Sequence, residues 1–358
     1  MFRYGLFLLI LSLFISCQEE SNPSSSIGGN DDDWLIPTNQ IYDGGPGQDG
    51  IPSIDDPSFV GVGNTTFLTN DELVVIYKEG DKVRAYPHAI LNWHEIVNDD
   101  VLSEEICVSY CPLTGSTVGF DRNLSSESAA GETTYGVSGL LYNNNLILYD
   151  RLTESYWSQM LMKSVHGEFL GEDAKIVPLI ETTFATLKKL YPGVEILSNQ
   201  TGIYSSSQYQ TYPYGDYKTN NNRLLFPVTN DDQRLPRKDR VLGVVTDQGS
   251  KAYTFDDFQN SINVINDQID GVPVVIAGSR SMNFMVAYIR QDADGNAIEL
   301  QATDAQLPAV MEDAGGNVYD IFGNIIDGPD QGRSLQNTKS FMAFWFAWGA
   351  FYPDIEIH

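Results

Sequence analysis

Hydrophobic and polar positions alternate along most of this chain with the short period of extended strands. LVVIYKEG and KVRAY form two such runs around Glu79 and Gly80, which predicts a β-hairpin. PHAILNWHEIVND then switches to a helical pattern, with Ile90, Trp93, His94 and Val97 on one face and Pro87 at a favourable first-turn position. EEICVSYC, STVGFDR, TTYGVSGL and LILYDR return to strand, rich in Val, Ile, Tyr and Phe. A glycine-punctuated stretch, a short helix over TTFATLKKLY stopped by Pro192, and a last strand complete the unit. The pattern predicts an α+β fold dominated by strands.

The same succession occurs twice. Copy one is assigned to 63–200, clearest from Leu73 to Leu197, and copy two to 238–358, clearest from Val241 onward. Ala85-Tyr86 and Asn98-Asp99 of the first match Ala252-Tyr253 and Asn266-Asp267 of the second. ICVSYCPLTGSTVGF aligns without a gap to VVIAGSRSMNFMVAY. Gly167, Gly171, Tyr191, Pro192, Glu195 and Ile196 then meet Gly328, Gly332, Tyr352, Pro353, Glu356 and Ile357 at one constant offset. The expectation is two divergent copies packed as a pseudo-twofold body. Residues 201–237 join them and carry Tyr212, Tyr214 and Tyr217. That cluster suits either an interface plug or a binding surface, since tyrosine offers a large ring with a polar tip.

The N-terminus changes the picture from fold to compartment. Arg3, an apolar run from Tyr4 to Ile15, Ser16 and Cys17 have the layout of a cleaved secretory signal. The run is too short to span a bilayer, which takes ~20 residues. A cysteine at the cleavage point resembles the lipobox of bacterial lipoproteins, with Phe14 departing from the usual leucine. Residues 1–17 are therefore expected to be a signal peptide with Cys17 lipidated, anchoring the protein to the outer membrane. Gln18, Glu19 and Glu20 resemble the surface-export signal of some bacterial lipoproteins, which points to the outer face. Residues 18–62 read as a flexible tether and an N-terminal arm, with Ile51, Ile54 and Phe59 able to dock on the body. Gly45, Gly47 and Gly50 form a literal G-x-G-x-x-G, but no strand precedes it and no helix follows, so it is not a nucleotide fingerprint.

Charge narrows the partners. Among 358 residues, 48 acids face 21 Lys and Arg, a formal net charge of -27. Such a surface repels phosphate backbones and anionic lipid, which excludes nucleic acid as a partner and leaves the lipid as the membrane contact. The ligand, a small molecule or a protein, is not named by the sequence.

The candidate chemistry lies in copy one. Four steps along a strand cover roughly 13 Å, whereas a disulfide needs Cα atoms within about 7 Å. Cys107 and Cys111 therefore do not pair if the strand stays extended. Cys111 ends a strand before a Pro-Gly turn, a position suited to an accessible thiol, or simply to a small core residue. His94, on the apolar face, is either a satisfied core histidine or a partner for that thiol. Copy two has Ile262 and Ser279 at these positions, as expected if only copy one kept a site. Imidazole beside thiol activates a nucleophile or begins a copper or zinc site. The expected catalytic set is Cys111, His94 and Glu95, and the expected metal ligands are His94 and Cys111, with Met160, Met162 and His166 as further candidates. Thr114, Asp150, Arg151, Trp157, Ser158 and Gln159 are expected to line the pocket, although Asp150 and Arg151 also suit a hairpin cap. HEIVN lacks the second histidine of a zincin.

RAYPHAILNWHEIVND, VSYCPLTGS, YGVSGLLYNNNLILYDR, TESYWSQ and YPYGDY together resemble the bacterial family carrying the domain of unknown function 3179, from GGPGQDGIPSIDDP to AFWFAWGAFYPDIEI. The resemblance implies C-P-L-C where this chain has Thr114 in the second cysteine's place, which removes a dithiol. The family implies no reaction. Three functions remain open: a thiol- or metal-dependent redox or copper-handling protein, a non-catalytic surface module that binds a ligand or partner, and a cysteine-dependent hydrolase.

Overall fold

The computed structural model describes residues 33–125 and 129–358. Cys17, the expected signal peptide and the first part of the expected tether lie outside them. The fold is α+β and strand-dominated, with three α-helices of seven residues each among the described residues: α1 (His88–His94), α2 (Phe184–Leu190) and α3 (Trp345–Phe351). No helix among the described residues is long and apolar enough to cross a membrane.

Three sheets of four or five strands make up most of the first half. One pairs Leu73–Glu79 with Lys82–Pro87 as the expected hairpin and adds Glu195–Leu197 parallel to the second strand. A second runs Ile96–Val101, Glu104–Cys111, Ser116–Asp121, Ile176–Val177 in spatial order. A third runs Ile41–Asp43, Tyr135–Tyr142, Asn145–Asp150, Tyr156–Ser158, Lys163–His166. The second half has sheets of matching order. Arg240–Val245 and Ser250–Thr254 pair, with Glu356–Ile357 parallel to the latter. Asn263–Ile269, Val272–Ser279, Phe284–Ile289, Gln336–Asn337 follow one another, as do Leu300–Ala302, Ala309–Asp313, Val318–Asp320, Ile325–Asp327.

Individual bonds recur as well. The Tyr86 hydroxyl donates to Asp99 at 2.5 Å with Arg84 beside it, and the Tyr253 hydroxyl donates to Asp267 at 2.7 Å with Lys251 beside it. Asn98 clamps both backbone groups of Tyr135, and Asn266 clamps both of Leu300. The Gly171 amide donates to the Ser164 carbonyl, and Gly332 to Ile325, both glycines being left-handed. The Trp157 indole donates to Asp150 as the Tyr319 hydroxyl does to Asp313.

Two expectations about helices need correction. The segment through Asn98-Asp99 is not one helix. α1 stops at His94, Glu95 turns the chain with φ 58°, and Ile96–Val101 is a strand. Ile96, Val97 and Val101 are apolar at positions that fit either period, and pairing with Glu104–Cys111 decides for the strand. The corresponding segment of the second half holds a single 3-10 turn, Phe255–Asp257, capped by Thr254, and then the strand Asn263–Ile269.

The halves share a core. One buried cluster takes Cys111, Leu113, Trp157, Met160 and Met162 from the first half, Tyr217 from the connector, and Phe344, Trp345 and Trp348 from the second. The arm also packs down. Ile54 is buried and its backbone bonds to Ile96 and Asn98, while Phe59 and Ile51 pack at the edges of two clusters.

Candidate functional site

Cys111 closes the strand Glu104–Cys111, and the turn Pro112–Gly115 returns the chain to Ser116, its register partner. Gly115 is left-handed (φ 60°), and a Cβ there would lie 2.9 Å from the Phe344 ring. Only glycine makes this turn without displacing the second half. Cys107 and Cys111 are both buried free thiols, as the extended strand required. The Cys111 sulfhydryl points at the Asn144 carbonyl, 3.5 Å away. Burial and then the neighbouring Glu95 charge push its pKa up to about 11, against the pull of the Thr114 hydroxyl and the Thr114 and Leu146 amides. At neutral pH it is a thiol, not a thiolate.

Glu95 reaches the same place from α1. Its amide closes the helix on the Leu91 carbonyl at 2.8 Å, and its carbonyl accepts from the Tyr110 amide at 2.7 Å. The helix end is thus stapled to the residue before Cys111. A glutamate at φ 58° carries backbone strain of order 1 kcal/mol or more, held by those two bonds. Its side chain is 5% exposed and, among the described residues, makes no hydrogen bond and no ion pair. Burial alone pushes its pKa up to about 8.

Both groups face a cavity of about 600 Å³. Leu113, Val137, Leu141 and Leu146 form its apolar wall, Gly44, Pro46 and Ile51 of the arm close one side, and Tyr214, Leu225 and Phe226 of the connector close another. The arm seats because Gly139 (φ 82°) lets the backbone of Gly47 approach to where a Cβ would stand 2.7 Å away. A cavity of this size and polarity suits a small organic ligand held by a few polar groups.

His94 is not part of this cavity. Its Nδ1 donates to the Pro52 carbonyl at 2.7 Å, since a carbonyl only accepts, which leaves Nε2 to accept from the Tyr209 hydroxyl at 2.6 Å. The Thr201 hydroxyl donates to Tyr209 in turn. Burial lowers the His94 pKa, so the ring is neutral and both nitrogens are occupied. The ring pins the arm to the connector rather than reaching Cys111.

The other expected residues are held elsewhere. Asp150 caps its hairpin, accepting from the Thr153 amide at 2.7 Å and the Trp157 indole at 3.0 Å. Arg151 binds Asp49 at 2.8 Å and the Tyr135 carbonyl, tying the arm to the body. Gln159 centres a buried network with Ser109, Ser116 and Asn145, to which Thr114 belongs through Asn145 and Ser116. Ser158 accepts from the Leu161 amide. Met160 and Met162 are core residues, and the His166 ring stacks on Trp34 at 4.4 Å. No group of three or more His, Cys, Asp and Glu able to hold a metal occurs among the described residues.

Of the expected set, the fold brings Cys111 and Glu95 together and keeps His94 and Asp150 apart from them. Tyr214 is the one member of the tyrosine cluster on the cavity wall. Leu225, Phe226, Gly44 and Pro46 carried no signal, because irregular segments have no period to read.

No curated protein and no solved structure matches the chain. A family model described as protein of unknown function (DUF3179) matches residues 48–355, nearly the whole described body. The chain belongs to that family of proteins of unknown function, DUF3179.

Proposed function

We propose that this protein is a lipid-anchored, extracytoplasmic binding protein whose first half takes a small apolar molecule bearing an amine. One observation carries the reading: the Glu95 carboxyl is buried, has no partner, and faces an apolar cavity. An unpaired buried carboxyl is costly, and an ammonium seated beside it turns that cost into an ion pair. Cys111 supplies a second, softer polar contact. Anchorage through Cys17 and exposure on the outer face remain the compartment this reading assumes.

The recurrence of sheet order and of the Tyr–Asp, Asn-clamp and glycine bonds supports descent of the two halves from one duplicated, pseudo-twofold unit. The second half has Asn263 and Ser279 at the Glu95 and Cys111 positions, and both bond locally. This supports a site in the first half and a scaffold in the second.

The test is calorimetric titration of the purified full-length protein with benzylamine and with benzyl alcohol. The amine is expected to bind more tightly, and Glu95→Gln is expected to abolish that preference. Equal affinity of the wild type for both, or a preference that survives in Glu95→Gln, overturns the reading. A second reading rests on the thiol and carboxyl sharing one cavity: a soft metal held by Cys111 and Glu95. Copper or zinc retained by the wild type and lost in Cys111→Ser would favour it.

A further inference from the structure

We propose that a second pocket beside the Cys111–Gly115 turn binds a small organic monocarboxylate, with Lys238 as its counter-charge. The pocket measures about 380 Å³ and shares no lining residue with the Glu95 cavity. It gathers His88, Lys218, Lys238 and Arg240 in a protein whose formal charge is -27. Cations concentrated against such a background create a local attraction for anions.

His88 and two of the three cations have partners. His88 lies 2.9 Å from Glu181, and Arg240 binds Glu181 and, at 2.9 Å, Asn283. Lys218 is exposed and lies over the Tyr212 ring at 5.1 Å. Lys238 is different. It is 7% exposed, and its Nζ has no hydrogen bond and no ion pair. The amine sits among rings, 3.3 Å from the centre of Tyr217 and 4.5 Å from that of Phe346. Ring faces attract an ammonium but do not replace an anion or water. Burial, foremost, pushes the Lys238 pKa down to about 7. A carboxylate in the pocket would supply the missing charge, and the Tyr110 hydroxyl, which lines the same pocket and makes no hydrogen bond among the described residues, offers a donor to its second oxygen.

Asp71 and Glu72 also line the pocket. They set the charge limit: one negative charge is accommodated near Lys238, and a phosphate dianion meets repulsion. The ligand class is therefore a compact monocarboxylate.

The experiment titrates the full-length protein with acetate, propionate and inorganic phosphate in the millimolar range, read by calorimetry. Acetate and propionate are expected to bind the wild type, phosphate more weakly, and Lys238→Met is expected to lose about 10-fold or more in affinity. A melting curve of Lys238→Met checks folding, and Lys238→Gln, which keeps a polar tip, replaces it if the Met variant does not fold. Absence of carboxylate binding to the wild type, undiminished binding in the folded variant, or tighter binding of phosphate overturns the proposal.

Discussion

Replacing Glu95 by glutamine removes one ionisation and little else, so the variant isolates what that carboxyl contributes to stability. The folded protein holds Glu95 protonated up to about pH 8, whereas an ordinary glutamate ionises at 4.5. Between those values the folded state binds a proton that the unfolded state has released. Wild-type stability from this group is therefore complete below pH 4.5, falls as pH rises, and levels off above pH 8. At ~1.4 kcal/mol per pH unit, the loss across the interval is about 5 kcal/mol. Glutamine has no proton to lose, and every other titrating group is common to both proteins. Urea denaturation at a series of pH values should then show wild type and Glu95→Gln nearly equal at pH 4.5, with the variant ahead by up to about 5 kcal/mol at pH 8. A difference that stays constant over this range would mean that Glu95 ionises normally, and that the cavity wall contains a solvated carboxylate instead of a buried acid.

The remaining predictions concern neighbouring groups. Iodoacetamide should label Cys111 slowly at neutral pH, with the rate climbing toward pH 11, and above about pH 8, where Glu95 ionises, Glu95→Gln should speed the reaction because a negative neighbour is gone. Fast labelling of the wild type at pH 7 would contradict the raised thiol pKa. His94→Phe should destabilise by about 2–4 kcal/mol, since the Pro52 carbonyl and the Tyr209 hydroxyl both lose a partner. It should leave the pH profile of Cys111 labelling unchanged, and a shifted profile would show that the imidazole does act on the thiol. Asn98→Ala and Asn266→Ala should each cost about 2–3 kcal/mol in denaturant unfolding, because each clamps two backbone groups of a neighbouring strand. A negligible cost at either position would separate the two clamps in function.

The parts of the fold legible in the sequence are those where a residue type is fixed by a bond it makes. Tyr86 and Asp99 stand out against Tyr253 and Asp267 because each pair is a buried hydroxyl–carboxylate bond, and the pairs keep their spacing for that reason. Gly167 and Gly171 align with Gly328 and Gly332 because all four are left-handed, where side chains are strained. The hairpin at Glu79-Gly80 and the absence of a bridge between Cys107 and Cys111 follow from strand geometry alone.

The site was less legible, for two physical reasons. Ile90, Trp93, His94 and Val97 fit a helical face, so the chain break at Glu95 was hidden by residues that suit both periods. With Glu95 read as a helical neighbour of His94, nothing in the sequence aimed its carboxyl at Cys111. A left-handed glutamate does so by turning the chain out of the helix. The second reason is that a large part of the cavity wall comes from the arm and the connector, at residues that include Pro46, Ile51, Leu225 and Phe226. These segments are placed by long-range bonds, such as Arg151 to Asp49 and Asn144 to the Phe226 backbone, that leave no local pattern. The apolar face places His94 inside the body but leaves its partner open, because the Pro52 carbonyl and the Tyr209 hydroxyl lie 42 and 115 residues away, in those same segments.

The most direct measurement is an infrared difference spectrum, wild type minus Glu95→Gln, at neutral pH, recorded with and without benzylamine. The account predicts the band of a protonated carboxylic acid in the free protein, replaced by a carboxylate signal when the amine occupies the cavity. A carboxylate signal already present in the free protein, or an acid band unchanged at saturating amine, would contradict it.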